Sequence, residues 1–156
     1  MSTKVLSLRV SRRAIGAAVL DSRGLAHSDG RHLPSTPTRA ILAATRYVER
    51  LLGQSITAVV VDAPPRGVSS TTDAVLDGIA QVLAAIGLRP MLIGKWDVLV
   101  AYGAAPLRTR GDVRELVRGY WPELEGVRSN VKPHAIDAAA AALYAECQVS
   151  FSRSPS

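Results

Sequence analysis

An α/β fold on one five-stranded mixed sheet, an antiparallel meander plus parallel strands with helices on both faces, is predicted from three observations. Residues 4–33 hold three β-favouring runs parted only by short polar turns. Two stretches of helical apolar spacing then alternate with two short runs suited to burial in a sheet. The resulting order is strand-strand-strand-helix-strand-helix-strand-helices, a meander followed by right-handed crossovers.

Lys4–Val10 and Ala14–Leu20 are the first two strands, joined across the polar turn Ser11-Arg12-Arg13. Gly16 marks a weak point or a close backbone approach. Asp21-Ser22-Arg23-Gly24 is a turn by composition, and Leu25–Leu33 returns as the third strand. Thr36 is a candidate cap with Pro37 in the first helical position. Ile41, Leu42, Thr45, Val48, Leu51 and Leu52 follow at helical spacing, and Gly53 stops that helix. Ile56–Val61 is β-branched and apolar, and it ends in Asp62. Ser69 to Thr72 offer caps for a helix whose apolar face runs from Val75 to Ile86 and which ends at Gly87. Leu88–Ile93 is a short strand that Pro90 places near an edge. Trp96–Tyr102 is a short helix or turn. Asp112–Tyr120 is a helix with Val113, Leu116 and Val117 inward and Arg114 and Arg118 outward. A last helix opens at Lys132-Pro133 and runs to about Gln148. Residues 1–148 are expected to form one domain, with 149–156 a disordered tail.

The chain has 156 residues, a net charge of +6 and a pI near 10.1. That charge favours an anionic partner. An Ala-, Gly- and Arg-rich composition of the kind a GC-rich genome encodes gives the same profile without one. A single cysteine excludes an internal disulfide and a multi-cysteine zinc site. No secretion signal or membrane span is read, so a cytoplasmic protein without membrane contact is expected. Phosphate-loop, nucleophile-elbow and His-Glu-x-x-His patterns are absent from the sequence.

Four stretches carry a family likeness: Leu6–Gly16, Ile56–Asp62, Leu76–Val82 and Pro133–Leu143. With their order they resemble the ribonuclease H-like superfamily, and within it RuvC-type Holliday-junction resolvases. The smaller YqgF-like nucleases are a near alternative. The resemblance implies a two-metal nuclease site, with magnesium or manganese held by acids on the first strand, a central strand and the last helix. Carried over, the catalytic residues are Asp62, His134 and Asp137, with Asp62 and Asp137 the metal ligands if any metal binds. Spacing at i and i+3 puts His134 and Asp137 on one helix face.

The first acid maps to Arg9, and no residue from Met1 to Leu20 is Asp or Glu. Exchanging an acid for arginine swings the charge by two units beside the ion positions. Like charges at such range repel by several kcal/mol even at an effective dielectric of ~20. Arg9 is therefore expected to block the site by pairing bidentately with Asp62 or Asp137. The plainer readings stay open: Arg9 pointing outward, Asp62 as a turn residue before Pro64-Pro65, His134 as a helix-start residue, and Asp137 answering the helix dipole.

Arg12, Arg13, Arg66, Arg108, Arg110 and Arg114, with Arg118, are candidate phosphate contacts, or else a solvated face. The expectation is a RuvC-like nucleic-acid-binding protein, a pseudo-enzyme with impaired or lost nuclease activity. Its partners would be nucleic acid, including branched DNA, and a second copy in a homodimer, with the helix over 73–86 a candidate interface. The alternative is a structure-selective, metal-dependent endodeoxyribonuclease that uses Asp62, Asp137 and His134 with one metal, or a carboxylate supplied from elsewhere, such as Asp21 or Asp29. A third reading is an interaction protein that keeps only the fold.

Overall fold

Alternation along the first strand sorts the core into two layers. A computed structural model describes residues 3–53, 55–101 and 109–152. In strand β1 (Val5–Val10), Leu6, Leu8 and Val10 face one side, whereas Val5, Ser7 and Arg9 face the other. Strands β2 (Ala14–Asp21) and β3 (Gly24–His32) complete the antiparallel meander. Helix α1 (Pro37–Leu52) leads to β4 (Ala58–Asp62), and α2 (Ser70–Ala84) leads to β5 (Pro90–Ile93). Both later strands run parallel to β1, giving the order β3-β2-β1-β4-β5. Pro90 opens an edge strand, where its missing N–H costs least. The predicted five-stranded mixed α/β sheet is the observed one.

Helices α1 and α2 cover the Leu6-Leu8-Val10 face. The opposite face is covered by α5 (Lys132–Ser152), with α4 (Arg110–Tyr120) packed on α5 and the short α3 (Lys95–Ala101) beside them. Ala138 to Ala142 are all buried beneath α5. Their small side chains let the helix lie close on the sheet. The sheet answers with Gly16, where an added Cβ would overlap the carbonyl of His134, and with Gly30, where it would meet Val131 at 2.9 Å. Gly16 is thus a close backbone approach, not a weak strand.

Local signals explain most boundaries. Ser69 accepts the Thr72 N–H at the start of α2. A reciprocal pair between Thr109 and Asp112 caps α4, which begins two residues earlier than expected. Thr36 sits at the N-cap of α1 with Pro37 behind it, but its side chain makes no capping hydrogen bond. Three expectations need correcting. Leu116 is half exposed, because Val113 and Val117 alone reach the core from α4. Arg114 turns inward instead of outward. Helix α5 continues to Ser152, so 149–152 are helical, and 153–156 lie outside the described residues. No helix among the described residues is long and apolar enough to cross a membrane.

Candidate functional site: an acidic pair clamped by arginines

Register brings the site together. In the parallel ladder between β1 and β4, Arg9 stands directly opposite Asp62. Residues in register share a face, here the face that α5 covers. The first turns of α5 cross above this point, as the contact of His134 with Gly16 requires. Asp137, one turn further on, therefore reaches the C-terminal ends of β1 and β4.

Asp62 is fully buried and Asp137 nearly so. Arg9 lies between them, its Nη1 3.7 Å from Asp62 and its Nε 3.8 Å from Asp137. The same guanidinium donates to the main-chain carbonyls of Val10 (3.1 Å) and Asp62 (3.4 Å). Arg9 thus occupies the gap between the acids, but it does not make the bidentate pair expected of it. That geometry comes from α4. Arg110 donates through Nη1 and Nη2 to the two oxygens of Asp62 at 2.8 and 2.9 Å. Arg114 donates through Nε and Nη2 to the two oxygens of Asp137, both at 2.8 Å. Two residues four apart on one helix therefore grip one acid each.

Burial pulls the Arg9 pKa below its ordinary value, against the opposing attraction of Asp62. Burial acts on Arg110 in the same direction, yet the hydrogen bonds and charge of Asp62 outweigh it and hold its pKa up. Hydrogen bonding to Asp137 raises that of Arg114. His134 is half-buried, and desolvation lowers its pKa although Asp137 pulls the other way. Its ring stands edge-to-face with His32 at 6.4 Å. The centre gathers three guanidiniums around two acids, a formal excess of one positive charge, with the His134 imidazole beside them.

These residues do not fit a two-metal centre. Such a centre needs carboxylates with open oxygen lone pairs to hold two ions about 3.5–4 Å apart. Here both carboxylates already accept two guanidinium hydrogen bonds each, and the strand-one position carries a cation. Among the described residues no group of three or more His, Cys, Asp or Glu side chains is placed to hold a metal ion. Asp21 and Asp29 do not supply a substitute. Asp29 pairs in register with Ala17, on the α1 side of the sheet. Asp21 lies at the end of β2 remote from Arg9 and accepts the Arg23 N–H.

The remaining arginines divide. Arg12 and Arg13 are exposed in the β1–β2 turn and line a cavity of about 320 Å³ with His32, Ser35 and Thr71. Arg66 is exposed and paired with Asp77 at 2.7 Å. Arg118 is paired with Glu125. Arg108 lies outside the described residues. The clamping role of Arg110 and Arg114 was missed from sequence, where both read as an outward strip. A signal existed: Arg110, Val113, Arg114 and Val117 share one stripe of α4, and its two valines are core residues.

No protein-family model and no curated protein matches the chain in sequence. Solved structures do match. Thermus thermophilus RuvC superposes with a TM-score of 0.75 at 16% identity, covering 96% of this chain and 97% of that one. RuvC of T. thermophilus in complex with a Holliday junction substrate superposes with a TM-score of 0.72 at 18% identity, covering 96% of each chain.

Proposed function

From a RuvC-type, ribonuclease H-like fold as premise, we propose that this chain binds nucleic acid through a centre in which arginines stand in for metal ions, and that it does not hydrolyse the strand. The observation that carries the proposal is the double clamp of Asp62 by Arg110 and Asp137 by Arg114, with Arg9 between the two acids. A phosphodiester approaching this end of the sheet meets one net positive charge at fixed guanidiniums. Guanidinium forks suit phosphate oxygens. Two-metal hydrolysis also needs an activated water and stabilised leaving oxygen, which paired ions deliver together. Clamped carboxylates cannot organise that pair. One similar structure holds a Holliday junction; preference for branched DNA, and a two-fold dimer matching a two-fold junction, belong to the same proposal.

The test incubates the full chain with branched and linear DNA, with magnesium or manganese at millimolar concentration. Salt-sensitive binding with intact strands is expected. Strand cleavage, or manganese binding by calorimetry that disappears in Asp62→Asn, would overturn the reading and favour a variant endonuclease.

A further inference from the structure

A cavity of about 640 Å³ opens beside the arginine centre, where the loop after β4 faces the end of β5 and the start of α3. Its volume falls within the range of small-molecule sites. The floor is apolar, formed by Pro64, Pro65, Leu76 and Leu92. Trp96 stands in the wall, 72% exposed, in contrast to Trp121, which is buried. Arg9 and Arg110 reach the cavity from the clamped centre, and Lys95 Nζ lies 5.6 Å from the Trp96 ring centroid. Asp97, the one acid in the lining, is committed to the Gly94 N–H at 2.8 Å, a contact that anchors the start of α3 and with it Trp96.

An exposed indole above an apolar floor offers a planar ring a face to stack on. Cations in the same lining offer its anionic group a partner. One chemical class has both parts covalently joined. We propose that this cavity binds a nucleotide, its base stacked on Trp96 and its phosphate directed to Arg9 and Lys95. The source of the nucleotide is an unpaired residue of a bound strand, or else a free mononucleotide. The proposal rests on the nucleic-acid reading for that source only; the pocket itself stands on its own lining.

The experiment follows tryptophan fluorescence and binding of three probes: thymidine monophosphate, a single-stranded decamer and a blunt duplex. Wild type, Trp96→Ala and Trp96→Phe are compared. The indole is exposed, so both variants are expected to keep the wild-type melting temperature. Expected is quenching of wild type by the decamer and a loss of decamer affinity on the order of five- to tenfold in Trp96→Ala. Trp96→Phe should restore part of it, and duplex affinity should change less than twofold. Saturable quenching by the monophosphate at comparable affinity assigns the pocket to free nucleotides; quenching by the decamer alone assigns it to a strand. Decamer affinity unchanged in Trp96→Ala, with no quenching by either probe, overturns the pocket while duplex binding leaves nucleic-acid binding standing. Quenching by the monophosphate without binding of either polymer has the reverse effect.

Discussion

Asp62 is a fully buried anion, so its stability contribution depends on what faces it. Truncating one member of a buried pair strands the other, at a cost of about 3–5 kcal/mol. Arg9 stays within 4 Å of Asp62 and offsets part of that loss. Arg110→Ala is therefore expected to destabilise the chain by about 2–3 kcal/mol in denaturant unfolding. Arg114 is more than a third exposed, and water can replace much of what it gives Asp137. Arg114→Ala should cost only about 1 kcal/mol. Equal losses would mean that the two clamps are equally desolvated. His134 adds a pH dependence. Its folded pKa lies below the ordinary 6.5, so the unfolded chain takes up the proton first as pH falls. Above 6.5 both states are neutral and the residue is silent. Below it stability declines, until the folded imidazole is protonated too. Unfolding midpoints of wild type and His134→Asn should differ by a constant amount above pH 7, and wild type should lose ground to the variant on acidification from about pH 6.5. A pH-independent difference would show that burial does not depress this imidazole.

Among the elements, α5 and α4 decide whether the centre exists. Helix α5 reaches the sheet only because Gly16 leaves room for the His134 carbonyl. Gly16→Ala puts a methyl group into main chain, which cannot rotate away. Overpacking commonly costs about 1–3 kcal/mol, and a main-chain obstacle belongs at the upper end. We expect a loss of about 3 kcal/mol in unfolding, against near neutrality for Gly119→Ala, whose added Cβ meets nothing. Equal effects would mean that α5 does not sit this close. Strands and helices were legible in sequence because their periods and stop signals agree: turns at Ser11 and Gly24, Pro37 at N1, Ser69 at an N-cap. The placing of Arg9 beside Asp62 or Asp137 came from the family resemblance, and the parallel register of β1 with β4 sets it opposite Asp62. The clamp was not legible. It depends on which way α4 is turned, and an arginine beside a valine stripe reads equally as a snorkelling surface residue or as an inward fork. Leu116 misled in the same manner, because hydrophobicity alone placed it inward.

Across the whole molecule, a net charge of +6 overstates what is available to a phosphate backbone. Arg110 and Arg114 are held by buried acids, and Arg66 and Arg118 by surface ones. Arg12 and Arg13 differ: both are exposed at the same sheet end as Arg9, beside a cavity whose lining includes His32, Ser35 and Thr71 but no acid. Each phosphate contact adds about 0.9 to the slope of log affinity against log salt on duplex DNA. If the β1–β2 turn supplies two such contacts, Arg12→Ala with Arg13→Ala should lower that slope by about 2 and weaken duplex and single strand alike. Arg66→Ala should leave the slope unchanged, since its guanidinium is already paired with Asp77 and makes no phosphate contact to lose. Trp96→Ala should spare the slope while lowering single-strand affinity, because stacking releases no counterions. Charge and stacking are thereby separable on one protein in one titration series. A slope indifferent to Arg12 and Arg13 would move the strand off this end of the sheet, and with it the phosphate from the arginine centre.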